Sequence, residues 1–89
     1  MIENYAPVGY QRLTSLTTAA GLTVPAAARA ALIQAESQPV RWRDDGTAPT
    51  ASTGMLIDAG ETLFYVGNLG ALRFVESQST AALNVSFYG

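Results

Sequence analysis

Val40-Arg41-Trp42-Arg43-Asp44-Asp45-Gly46 alternates apolar and charged side chains for four residues and then stops. In extended backbone successive side chains leave on opposite faces, so Val40 and Trp42 share one face and Arg41 and Arg43 the other. That is the pattern of a half-buried strand. Asp44, Asp45 and Gly46 tolerate left-handed backbone, and Pro49, in the Thr47–Gly54 loop that follows, prevents the strand from simply resuming.

Working outward from it, the preceding segment Pro25–Glu36 supports two readings. Pro-Ala-Ala-Ala-Arg-Ala-Ala-Leu-Ile-Gln-Ala-Glu has the best helix propensity in the chain, with proline at a permissible first position. Against that, only Ser37, Gln38 and Pro39 separate it from the strand at Val40, a spacing that suits two strands paired as a hairpin. The strand reading, over about Arg29 to Glu36, is favoured. On the far side, Met55-Leu-Ile57 reads as a short strand, Asp58–Glu61 as a turn, and Thr62-Leu-Phe-Tyr-Val66 as a strand apolar on both faces. A strand of that kind is central or covered by a neighbour. Gly67–Gly70 breaks it. Ala71–Glu76 and Ala82–Tyr88 alternate again, with Leu83, Val85 and Phe87 on one face, and Ser77–Ala81 reads as the tip of a hairpin between them.

Towards the start of the chain, Tyr10–Leu16 favours a strand, Thr17–Gly21 a loop, and Leu22–Pro25 a short extended piece. Met1–Pro7 has no periodicity and Pro7 and Gly9 interrupt it, which predicts an extended arm or a first edge segment; the arm reading gives an N-terminal arm over residues 1–8 and a single domain over residues 9–89. Strands about ten residues apart, separated by Gly, Pro, Asp and Ser, predict an all-β sandwich or barrel, of which an antiparallel, jelly-roll-like β-sandwich is the favoured form.

The composition narrows function mostly by exclusion. Eighty-nine residues without cysteine make one small domain that no disulfide can brace, and contact with copies of itself or a larger assembly would supplement its core. The formal charge is −2, and five scattered arginines with no lysine make no basic stripe, which argues against nucleic-acid binding. Charged residues are 13% of the chain, below the roughly 25% typical of soluble domains, so part of the surface is expected to face a partner. No stretch offers the roughly 20 apolar residues of a membrane span, and the Met-Ile-Glu-Asn-Tyr start lacks the positive region of a signal peptide.

Histidine, cysteine and lysine are all absent, so Ser/His/Asp and Cys/His catalysis, Schiff bases and P-loop lysines are unavailable, and no enzyme, cofactor or metal site is predicted. Asp44 and Asp45 could serve as hard oxygen ligands for calcium with Asp58, Glu61 or loop carbonyls, but adjacent aspartates before glycine more often make a turn. Trp42 could stack on a sugar ring; its position beside Val40 favours the core instead. Arg41 and Arg43 are expected to pair with Asp44, Asp45 or Glu36. Together with Tyr5, Tyr10, Tyr65 and Tyr88, the residues Arg41, Arg43, Asp44 and Asp45 are the candidate protein-contact residues.

Read together, Leu22-Thr-Val-Pro25, Ala28–Glu36, Val40-Arg-Trp-Arg-Asp-Asp-Gly-Thr-Ala-Pro-Thr50, Gly54-Met-Leu and the closing Leu83–Tyr88 resemble a group of small tailed-phage and prophage virion proteins. The resemblance covers most of the chain from about Leu16 onward. It implies a β-sandwich subunit located on the virion, a capsid decoration, cement or head-tail protein. Its partners would be major capsid or tail proteins and copies of itself, with no nucleic acid and no membrane. The rival reading is a carbohydrate-binding module of a phage adsorption device or secreted protein, using Trp42 and tyrosines as stacking faces; a small hydrolase comes a distant third.

Overall fold

The computed structural model describes residues 4–89. They form strands β1 (Pro7–Leu13), β2 (Ala30–Glu36), β3 (Val40–Arg43), β4 (Met55–Ile57), β5 (Thr62–Val66), β6 (Arg73–Glu76) and β7 (Ala82–Tyr88), with one 3-10 turn at Leu69–Ala71. All pairings are antiparallel, in a four-stranded sheet ordered β1-β7-β2-β5 and a three-stranded sheet ordered β4-β3-β6. Leu13, Ile33, Leu83, Val85 and Phe87 from the first sheet meet Val40, Ile57 and Phe74 from the second in one core. The chain is therefore all-β and two-layered, as its alternation predicts.

Two pairings differ from those predicted. Ala30–Glu36 and Val40–Arg43 do not form a hairpin: Ser37–Pro39 carries the chain from the larger sheet to the smaller. Arg73–Glu76 and Ala82–Tyr88 are likewise in different sheets, and Ser77–Ala81 is the crossover between layers. The β4–β5 and β5–β6 connections also switch sheets, whereas β3 and β4 are paired neighbours. The Leu16–Ala20 segment runs beside β6. Glu76 N donates to Leu16 O at 2.9 Å, and Ala20 and Phe74 exchange two backbone bonds of 2.8 Å, which continues the smaller sheet past β6.

The helix-prone segment is a strand because of what stands on either side of it. β2 is an inner strand, with Ala31 between Phe87 and Tyr65, Ala30 between Tyr88 and Val66, and Ala35 beside Leu83. All three alanines are fully buried. Small side chains on the middle strand leave room for the bulky residues of its neighbours, and packing of that kind overrides a propensity difference of a few tenths of a kcal/mol per residue. The helix signal survives only as a single turn, in which Ala28 N donates to Pro25 O.

Other boundaries shift. The first strand begins at Pro7 and ends at Leu13, and Ala6 already exchanges backbone bonds of 2.9 Å with Gly89. Residues 6–8 of the predicted arm thus belong to the sheet, and Tyr5 packs edge-on against Phe64 at 5.7 Å; residues 1–3 lie outside the described residues. Thr62–Val66, predicted central or covered, is an edge strand. Residues 71 and 72 lie outside β6, because the 3-10 turn takes up the start of that segment.

Among the described residues, two other than glycine have left-handed backbone, Ser37 with φ 75 and Thr80 with φ 69. Each sits in a short connection that must reverse between layers. A β-branched residue is poorly suited to this region, at a cost of about 1–2 kcal/mol. Thr80→Gly is therefore expected to stabilise the protein by about 1 kcal/mol after glycine's own entropic penalty, raising Tm by about 4–8 °C. A thermal melt followed by circular dichroism checks it.

Candidate functional site

The predicted contact residues divide between two surfaces. Arg41, Arg43, Asp44, Asp45 and Tyr65 gather where β3 runs into the long loop to β4. Arg41 does not pair with a carboxylate: its Nη1 donates to Gly54 O at 2.9 Å and its Nε to Ala51 O at 3.3 Å. These bonds fasten the Thr47–Gly54 loop across the outer face of the smaller sheet, where Pro49 is buried and Val75 is covered. Ser77 Oγ adds a bond to Ala51 O at 3.1 Å.

Arg43 makes the pairing predicted for it. Its Nη2 and Nε reach the two oxygens of Asp45 at 2.6 and 3.0 Å, a fork that holds the Asp45 carboxyl below its ordinary range. Asp44 accepts a hydrogen bond from Tyr65 Oη at 2.7 Å, and this bond, aided by burial, raises the Tyr65 phenol. Trp42 is half-buried, packs against the core and meets Tyr65 edge-on at 6.0 Å. Its face is therefore not offered as a stacking platform. Asp44 and Asp45 are each committed to a partner, and among the described residues no three acidic groups converge as calcium would require.

The second surface is the outer face of the larger sheet. Tyr10 Oη donates to Asn84 Oδ1; Asn84 Nδ2 donates to Glu36 Oε1 at 2.8 Å; Arg12 Nη2 binds Glu36 Oε2 at 2.9 Å. The register explains the cluster, since Arg12 and Gln34 both lie opposite Asn84, and Tyr10 and Glu36 lie two residues along their own strands from these. Glu36 therefore pairs with Arg12 rather than with Arg41 or Arg43. Towards the Tyr88 end the same face becomes aromatic. Phe64 lies 6.3 Å from Tyr88, and the Arg29 guanidinium sits 4.9 Å above the Tyr5 ring. Arg12, Glu36 and Asn84 belong with Tyr10 in this cluster, though only a correct strand order would have brought them together.

Arg12, followed by Asn84, holds the Glu36 carboxyl below its ordinary range. A carboxyl depressed in the folded state adds stability above its unfolded pKa, of roughly 4, and loses that contribution as pH falls through the folded value. Glu36 and Asp45 both have this sign. Tm is thus expected to fall as pH drops below about 4, and Glu36→Gln should flatten that dependence at lower stability near neutrality. Melting both proteins across the acid range tests this.

Between the two loops that flank β6 lies an open groove of about 710 Å³, walled by Thr17, Thr18, Pro49 and Thr50 with Val75 and Glu76 below. Its lining is hydroxyl-rich and holds one carboxylate, which gives it little with which to orient a charged ligand. No family model, no curated protein and no solved structure matches the chain.

Proposed function

We propose that this chain is a structural subunit of a bacteriophage virion, a capsid decoration or head-tail protein acting through contacts with coat or tail proteins and with copies of itself. The observation that carries the reading is the strand order. Counting the Leu16–Ala20 segment beside β6 as a fourth place of the smaller sheet, the orders β1-β7-β2-β5 and Leu16–Ala20-β6-β3-β4 are those a jelly roll would have, and that architecture, frequent in capsid proteins, supports the reading. Fold alone fixes no activity. The sparse charge, the exposed apolar residues and the resemblance in the Arg-Trp-Arg-Asp-Asp-Gly run and the C-terminal strand add to it. Purified particles of the encoding phage or prophage are expected to contain the chain in many copies, with density for a body of 34 × 26 × 20 Å repeating at fixed positions. Peptide mass spectrometry or electron microscopy finding no such repeat would overturn it.

The carbohydrate-binding alternative rests on Tyr10 instead of Trp42. An exposed phenol ring beside Asn84, Gln34, Arg12 and Glu36 combines a stacking face with amide and charged hydrogen-bonding groups. Glycan-array binding abolished by Tyr10→Ala would favour this reading over the first.

A further inference from the structure

We propose that two copies of this chain join through their β5 strands, antiparallel about a two-fold axis at Phe64, into one sheet that runs through both molecules. β5 ends the larger sheet. Ala35 N donates to Glu61 O and Ala35 O accepts from Gly60 N, so Ala35 turns its backbone groups towards the β5 side. By the alternation of antiparallel pairing, Leu63 and Tyr65 then face β2, and the N–H and C=O groups of Thr62, Phe64 and Val66 point outward. Among the described residues no backbone group meets them.

The two edges of this sheet are treated differently by the sequence. β1 is blunted: it opens on Pro7, its register shifts between Pro7 and Gly9, it carries Arg12, and Thr23 N bonds to Gln11 Oε1 on it. β5 is Thr-Leu-Phe-Tyr-Val, with no proline, no charge and an unbroken register. A bare edge with these residues is a template for another strand.

The surroundings point to a second copy as the occupant. Of the four large apolar residues left exposed among those described, Met55 at 61%, Leu56 at 44% and Val66 at 58% stand on β4 and β5, the edges at this one side of the sandwich. A two-fold pairing covers Val66 of each copy with Thr62 of the other. It also suits the charges, because antiparallel register sets Glu61 of one copy level with Gly67 of the other, the end of the sheet that carries Arg29. Outward groups at positions 62, 64 and 66 are symmetric about Phe64, so Thr62 faces Val66 of the second copy at both ends of the ladder. This pairing is independent of any place on a particle.

Sedimentation of the full chain over roughly a hundredfold range of concentration is expected to pass from monomer to dimer. Thr62→Pro, at an exposed residue whose N–H points away from β2, should weaken association about thirtyfold through loss of two backbone bonds per dimer, with the monomer's circular dichroism unchanged. Register has its own readout, since the chain has no cysteine: an oxidised mixture of Thr62→Cys and Val66→Cys proteins should cross-link one to one, and neither alone. A monomer at all concentrations overturns the proposal. So does a dimer indifferent to Thr62→Pro whose mixed cysteine variants fail to cross-link, or a protein that dimerises only once residues 1–3 have been removed.

Discussion

Phe74→Ala is expected to remove about half of the protein's stability. Phe74 is fully buried, and it is held in place on three sides: by Trp42 across β3, by the Ala20 backbone bonds beyond β6, and by the opposing sheet above. Truncating a buried phenylalanine costs about 3–5 kcal/mol, through lost transfer energy and through the cavity that rigid neighbours cannot refill. A domain of this size has a total stability on the order of 5–10 kcal/mol. The loss also removes the residue that joins the core to the Leu16–Ala20 segment. Urea titration should show the midpoint falling to about half its original value, whereas Phe74→Leu, which keeps most of the volume, should retain most of it. A Phe74→Ala protein with near-native stability would mean that the two layers do not share one core.

Gly54→Val should have the next largest effect, and it acts from outside the core. Gly54 has φ +140, a backbone region nearly confined to glycine, and a Cβ there would meet Pro49 Cβ and Trp42 O at 3.1 Å and Arg41 Cβ at 3.3 Å. Two of these neighbours are a ring and a backbone carbonyl, which cannot move aside. The expected loss is about 2–4 kcal/mol, with the Thr47–Gly54 loop lifted from β6 and Val75 exposed. Hydrogen exchange would show faster exchange confined to that loop and the outer face of the smaller sheet. Gly46→Ala is the comparison: φ is +87 but nothing lies within 4 Å of the added carbon, so only the backbone term of about 1 kcal/mol remains.

Much of the architecture was legible because alternation reports faces. Leu83, Val85 and Phe87 are buried as their spacing requires, and Val40 is buried while Arg41 and Arg43 lie on the opposite face. Alternation does not report neighbours. Nothing in Ala30–Glu36 or Val40–Arg43 says that the three residues between them cross layers rather than close a hairpin, and the same holds for Ser77–Ala81. Partnership depends on volumes matched across strands, such as Ala31 between Phe87 and Tyr65, which are distant in sequence.

The candidate site shows the same division. The Arg43–Asp45 fork is local and could be read from two residues' separation. Arg41, three residues before Asp44, instead binds the carbonyls of Ala51 and Gly54, because its side of the strand is roofed by the loop. The Tyr10–Asn84–Glu36–Arg12 cluster joins residues from three strands, and no short motif carries it.

The position of β7 between β1 and β2 has a consequence for how the molecule comes into being. Tyr10 and Asn84, bonded across β1 and β7, are 74 residues apart in sequence. During synthesis β1 therefore waits, unpaired, until β7 has left the ribosome, because β7 is its neighbour in the sheet. Acquisition of structure is thus a late, concerted event limited by long-loop closure, on the millisecond-to-second scale of such topologies. In that interval a nascent chain is most open to adhesion with its siblings, so rapid translation at high expression should favour inclusion bodies and chaperone dependence.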